Sequence, residues 1–396
     1  MDPKEFENST AGQARRTPQG YWAFVPAALP PRVTYSGALV HGLSEAGHAL
    51  GALSEIGRFV PNANLLITPY LSLEAVHSSR IEGTQASLSD LFFTEAGEPG
   101  RAQAADVNEV ANYLKAMRHG LARLRDLPLS NRLVRELHAR LLEGVRGEYA
   151  TPGEFRRSQN WIGRPGVSLE NADYVPPPPE QIAQLMSNWE RFLHEVRDVP
   201  LLIQCAIMHY QFEAIHPFLD GNGRVGRLLV SLFFCERGAL SQPLLYLSPY
   251  LELHRDEYYA RLFAVSREGD WEGWFDFFAG AVRVQARTGS VRCREMLELR
   301  ERLRAELRDR SQSPTAAALL DLLFERPVVK ISEAAERLQV TYGPAAKAMD
   351  VLAEMGVVRE VTGQRRHRVF CAQAIVDAIE DAAVPLDEQP QRPPGS

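Results

Sequence analysis

Apolar residues recur along most of this chain at helical spacing. Val134, Leu137 and Leu141, for example, fall on one face of a helix, while strand-like alternation is confined to a few short stretches. The pattern predicts a mainly α-helical body. Between Val291 and Arg310 the apolar positions Met296, Leu299, Leu303 and Leu307 form one stripe amid alternating Arg and Glu, which predicts a connecting helix over 291–312. Beyond it, residues 314–324, 332–338 and 341–354 read as three short helices, with Ser332 and Thr341 as N-caps and Gly356 as a stop. Two β-rich pieces, 357–361 and 368–371, follow around a turn that holds Gly363 and the cluster Arg365, Arg366, His367 and Arg368.

Three helices and a β-ribbon in this order are similar to a winged helix. A separate break in the helical pattern lies at 160–179, NWIGRPGVSLENADYVPPPP, where two short apolar pieces flank turn residues and prolines end the segment. It predicts a small β-hairpin flap. Residues 1–20 and the tail from Val384 are rich in Pro, Gln and charge, so both ends are expected to be disordered. The chain of 396 residues, 45% hydrophobic and 24% charged, has ordinary globular composition and length for two or three domains. A net charge of −6 argues against coating nucleic acid or an anionic membrane through overall charge. Cys205, Cys235, Cys293 and Cys371 are widely spaced and form no CxxC pair, which signals neither a disulfide framework nor zinc and suits a reducing cytoplasm. No stretch reaches the roughly 18 uninterrupted apolar residues of a membrane span, so a cytoplasmic protein without membrane contact is expected.

The chemistry concentrates at 216–227, HPFLDGNGRVGR, a polar stretch between two helical segments apolar enough to be buried, 201–212 and 228–234. A loop that opens a helix there presents main-chain N–H groups where an anion can sit. Gly221 and Gly223 let a phosphate approach the backbone closely, and Asn222 offers a further donor. Arg224 and Arg227, three apart on one helix, are two cations able to neutralise a polyphosphate. Asp220 offers a hard oxygen to Mg²⁺, and His216 can take a proton from a hydroxyl near neutral pH. Base, metal ligand and phosphate cradle together point to attack of a hydroxyl on a nucleotide phosphate. The pattern GxxxxGK[ST] of a P-loop ATPase is absent.

The stretch 216–227 matches every fixed position of H-x-F-x-[D/E]-G-N-G-R-x-x-R and so resembles the Fic family. The resemblance implies a Fic-type helical bundle that transfers AMP from ATP to a Ser, Thr or Tyr hydroxyl, with Mg²⁺. It gives His216 the role of general base, Asp220 that of metal ligand, and Gly221, Asn222, Gly223, Arg224, Val225, Gly226 and Arg227 the nucleotide, with Phe218 anchoring the loop. The segment 151–156, TPGEFR, resembles the family's turn before the flap, and 160–178 the flap along which a target protein pairs as a strand. Tyr258 and Tyr259 resemble the aromatic pair beside the adenine.

Residues 71–82 read as a helix stopped by Gly83, with the carboxylate of Glu82 opposing the helix dipole and calling for a cation. Ser78, Glu82 and Gly83 match the family's inhibitory pattern [S/T]-x-x-x-E-[G/N]. The resemblance implies that Glu82 pairs with Arg227 and occupies the place of the γ-phosphate. It also leaves open AMP removal, other donors (UMP, phosphate or phosphocholine), self-modification and a homodimer. A rival reading makes the chain a DNA-binding regulator with a vestigial core, through the 313–380 module, although Glu333, Glu336, Asp350, Glu354 and Glu360 dilute its positive charge and favour a protein-binding or target-presenting module. His77, His138 and His209 lack metal-ligand spacing and read as structural. The expected layout is a disordered 1–20, an N-terminal helical region 21–106, a catalytic core 107–290, the connecting helix 291–312, a winged-helix-like domain 313–380 and a disordered 381–396.

Overall fold

The computed structural model describes residues 1–59, 62, 64–98, 100–145, 149–163, 166–364 and 366–383. The tail from Val384, and Arg365 of the basic cluster, lie outside the described residues. A 3₁₀ turn at Pro3–Phe6 and strands β1 (Gly12–Arg16) and β2 (Trp22–Pro26) open the chain. Helices α1 (Gly37–Phe59), α2 (Asn64–Ile81), α3 (Leu88–Glu95), α4 (Ala104–Arg123), α5 (Asn131–Leu141) and α6 (Pro179–Glu195) follow. They lead to α7 (Leu201–Ile215), α8 (Asn222–Glu236), α9 (Ser248–Leu253), α10 (Arg255–Glu268) and the long α11 (Trp271–Arg310). The rest comprises α12 (Pro314–Glu325), β3 (Val328–Lys330), α13 (Ile331–Arg337), α14 (Tyr342–Glu354), β4 (Arg359–Glu360), β5 (Val369–Cys371) and α15 (Gln373–Glu380). The body is mainly α-helical, as the spacing predicts, and no described helix is long and apolar enough to cross a membrane.

The chain divides into two compact units. The first takes Met1–Leu50, Asn112–Ala239 and Tyr250–Arg283; the second takes Gly51–Ala111, Leu240–Pro249 and the chain from Val284 onward. In the first unit α7 packs on α6 and α8, and α5 packs on both α6 and α8. α7 is buried on almost every side and shows no polar face, because its polar residues Gln204, His209 and Gln211 are buried along with its apolar ones. The expected disorder of residues 1–20 is corrected here. β1 and β2 pair antiparallel with Gly12 opposite Pro26, and Phe6 and Phe24 close a small aromatic core with Tyr174, their centroids 5.3 to 6.4 Å apart. A few well-placed rings suffice to order a segment whose average composition is polar. Gly12 is required there by close approach: a Cβ would stand 2.5 Å from the Phe24 ring.

The second unit joins what the sequence analysis separates. α12 packs on α14 and also on α2, α13 packs on α14, and α15 packs on α2. The three-stranded sheet runs β3-β5-β4, antiparallel throughout, with Cys371 opposite both Val328 and Arg359. The winged-helix pattern is present, with β3 and α15 as additions to it. A boundary at 313, and a connecting helix beginning at 291, are therefore corrected: α11 runs unbroken from Trp271, and the C-terminal module shares a unit with α2. Leu319, Leu320, Leu323 and Phe324 are buried on more than one side of α12, so its apolar pattern announces burial without saying which helix provides it. A carboxylate is also buried in this unit, where Glu74 accepts from the N–H and hydroxyl of Ser248 at 3.0 and 2.6 Å.

His209, in the middle of α7, ties three helices of the first unit. Its Nδ1 donates to the carbonyl of Gly226 on α8 at 3.2 Å, and its Nε2 meets the Tyr258 hydroxyl of α10 at 2.7 Å. Burial, reinforced by the charge of Arg227, pushes the imidazole down from 6.5 to about 3. The neutral ring thus contributes stability that is whole above pH 6.5 and is lost as pH falls toward 3. The unfolding midpoint is expected to decline across that interval, and to decline less steeply in His209→Gln; identical slopes in a pH series of denaturation curves would remove His209 as the cause.

Candidate active site

The site is made where α7 ends and α8 begins. His216 caps α7 in the left-handed region, at φ 50° and ψ 61°, a costly conformation for a residue with a Cβ. What holds it is Arg156, whose guanidinium is buried among main-chain carbonyls. Nε donates to the oxygen of His216 at 2.9 Å, Nη1 to Ser158 at 3.2 Å, and Nη2 to Pro177 at 2.6 Å and Ile215 at 3.5 Å. The N–H of Arg156 adds a bond to Pro217 at 2.9 Å. Burial lowers this arginine to about 10, so it stays charged at neutral pH. The clamp turns the His216 side chain so that Nδ1 lies 3.3 Å from the carbonyl of Glu213. A carbonyl only accepts, so Nδ1 carries the proton and the lone pair belongs to Nε2.

The loop from Pro217 to Gly221 is braced from inside. Phe218 is fully buried, and the Asn222 amide bonds both its N–H and its carbonyl at 2.9 Å. The buried amide of Asn222, expected to donate to a phosphate, is engaged with the loop in this structure. A second bond to the Phe218 carbonyl comes from Asn160 at 2.8 Å. Gly221 is the N-cap of α8 at φ 78°, which favours glycine, and the helix starts at Asn222 with its first N–H groups toward the loop.

Arg224 and Arg227 project from the first turns of α8 and are both buried, while the Asp220 side chain is 46% exposed with Oδ1 3.7 Å from Arg224 Nη2. Asp220 Oδ1 also accepts from the N–H of Gly221 at 2.6 Å. This donor set suits Mg²⁺, which binds through one or two carboxylates completed by substrate phosphates. The described residues contain no cluster of three or more His, Cys, Asp or Glu that would hold a metal without such help. A helix N-terminus, two buried guanidinium groups and a half-exposed carboxylate thus stand beside the imidazole, an arrangement with the chemistry to receive an anion.

Other expected site residues fall elsewhere. Val225 and Gly226 are buried within α8. Tyr258 is 1% exposed, its hydroxyl spent on His209 and its ring packed against Trp274 and Phe277, so stacking on adenine is not its task. Tyr259 is 39% exposed, with Arg255 5.7 Å over its ring. Among its described residues, which exclude 164–165, the flap carries one bridge, Ile162 with Tyr174. Ser78 is buried on α2, and Glu82 and Gly83 follow that helix, in the second unit. The clamp of Arg156 was not assigned from sequence. A lone arginine in a proline- and glycine-flanked turn leaves no periodic signal, because its partners are carbonyls far along the chain.

Residues 40–122 match the Fic/DOC family N-terminal domain, 128–234 the Fic/DOC family domain, and 317–371 an HTH DNA binding domain. The protein adenylyltransferase Fic of Drosophila yakuba is 33% identical over 168 residues, 41% of this chain and 32% of that protein. The protein of the same name from Drosophila melanogaster is 32% identical over the same length. The chain therefore spans about a third of these relatives. Among solved structures, a Fic family protein from Desulfovibrio desulfuricans aligns with a TM-score of 0.56 at 19% identity, over 87% of this chain and 98% of that one. Fic-1 of C. elegans aligns with a TM-score of 0.51 at 21% identity, over 64% and 73%. The motif is complete, its loop is braced, and residues 40–122 and 128–234 match the two Fic/DOC family domains in sequence.

Proposed function

We propose that this chain is a protein adenylyltransferase, moving AMP from ATP to a Ser, Thr or Tyr hydroxyl of a target protein or of itself. The observation that carries the reading is the pairing of His216 Nε2, set by a clamped left-handed turn, with the phosphate site at the start of α8. The hydroxyl gives its proton to Nε2 as its oxygen attacks the α-phosphorus, and the bond to the leaving pyrophosphate breaks in line. Arg224, Arg227 and the N-terminus of α8 take the charge that builds on the phosphates. Mg²⁺, when bound, would be held by Asp220 and would neutralise phosphate oxygens. The names of the Drosophila relatives support AMP as the transferred group.

Glu82 supplies autoinhibition in this reading by pairing with Arg227 in the place of the γ-phosphate, and the same carboxylate is suited to a reverse reaction that removes AMP. The target lies along the flap, where Trp161 and the bridge residue Ile162 have exposed side chains. The C-terminal module recruits the target or DNA; the exposed Tyr342 at the start of α14 and the match to an HTH domain favour a recognition role for that helix. Homodimerisation and a cytoplasmic setting complete the proposal.

In Glu82→Gly, AMP incorporation is expected to rise about tenfold or more, equivalent to ~1.4 kcal/mol. His216→Ala in that background should fall by about a hundredfold to ten-thousandfold. Intact mass after incubation with each nucleoside triphosphate and Mg²⁺ reads both results and names the donor; equal activity of wild type and Glu82→Gly would end the inhibitory claim. Arg156→Lys keeps the charge but loses the planar fork, so kcat should drop roughly a hundredfold with nucleotide affinity little changed. A matching loss in affinity would mean that the clamp serves the phosphate site instead of the base.

A further inference from the structure

α5 contributes a histidine to the loop as well as apolar side chains to the core. His138 is completely buried and shares a face with Val134, Leu137 and Leu141, the environment of a packing residue. Its two nitrogens are nevertheless committed to two separate segments. The N–H of Gly153 donates to Nδ1 at 2.8 Å, which leaves the ring proton on Nε2, and Nε2 donates to the carbonyl of Asp220 at 3.0 Å. The ring lies flat on Phe218, centroids 3.7 Å apart and planes 8° from parallel. One imidazole thus meets the turn at Gly153, the loop at Phe218 and the main chain at Asp220.

The turn that His138 engages is the one that ends in Arg156. Arg156 holds the carbonyl of His216, and His138 transmits the position of Gly153 to the carbonyl of Asp220. Both ends of the loop 216–220 are therefore referred to the same short turn, 151–156. A leucine or phenylalanine would fill the space under Phe218 equally well, so packing alone gives no reason for two hydrogen bonds aimed at main-chain groups of different segments.

We propose that His138 is a positioning residue, fixing the main chain of Asp220 so that its carboxylate is presented at the start of α8. The claim rests on the reading of Asp220 as the metal-holding carboxylate, and it adds a residue to the supporting shell of that site. Three substitutions separate its parts. His138→Phe keeps the ring on Phe218 and removes both bonds. His138→Gln places an amide donor near the position of Nε2, restoring the bond to Asp220, and His138→Asn places an acceptor near Nδ1, restoring the bond to Gly153.

Amide hydrogen exchange of the three variants, measured without nucleotide or metal, is the first arm. In His138→Phe, exchange is expected to rise about tenfold or more at 219–222 and 151–154 and to stay unchanged in α7 and α10. His138→Gln should restore protection at 219–222, and His138→Asn only at 151–154. The second arm, in the Glu82→Gly background, follows AMP incorporation against Mg²⁺ concentration; the half-saturating concentration should rise about tenfold in His138→Phe and recover in His138→Gln. Exchange that rises throughout the first unit, or does not rise at 219–222, overturns the proposal, as does an unchanged Mg²⁺ dependence with a lowered rate. If the Glu82→Gly reference transfers no nucleotide, the transfer reading fails, and the exchange arm decides the placement of Asp220 by itself.

Discussion

A left-handed residue with a side chain is held at the end of α7, and the geometry of the site follows from how it is held. His216 leaves the helix at φ 50°, so the chain reverses within a few residues and α8 can start beside the end of α7. The conformation is unfavourable by itself, and the buried guanidinium of Arg156 offsets it by collecting the carbonyls of Ile215, His216, Pro177 and Ser158. These four acceptors come from the end of α7 and from both sides of the flap. The same cation therefore sets the direction of the His216 side chain and the root of the segment that faces it.

Arg156, Arg224 and Arg227 are all buried, yet they do different work because their surroundings differ. Arg156 is satisfied by neutral main-chain oxygens, which spread its charge over a turn and a loop and make it a fastener. Arg224 and Arg227 rise from the first turns of α8, where the helix already presents a partial positive charge. Cations added at such a place raise the local potential, and Asp220, 3.7 Å from Arg224, is a carboxylate that moderates it.

The motif 216–227 was legible because its residues act locally: a short loop, a glycine N-cap and two arginines one turn apart can be placed from spacing alone. Helix α2 and the order of helices and strands in the C-terminal module were legible for the same reason, through caps and stops. What escaped depends on partners distant in the chain. The hairpin β1–β2 is ordered by Phe6 and Phe24 against Tyr174, residues that no window of composition joins. Tyr258 reads as a ligand-facing aromatic until Trp274 and Phe277 are seen around it, and α12 reads as part of a free module until it is seen to pack on α2.

Histidines show most sharply how partners decide a role. His209 has one nitrogen on the Gly226 carbonyl and the other on the Tyr258 hydroxyl, and burial holds it at about 3. His138 is likewise pushed down to about 4 by burial, with both nitrogens on main-chain groups. Neither can accept a proton near neutral pH without breaking a bond inside the core. His216 is the one of the three that stands at a helix end and is only half-buried, with Nδ1 on a carbonyl and its lone pair at Nε2. The residue type is common to all three; what distinguishes His216 is the left-handed turn, and Arg156 holds that turn.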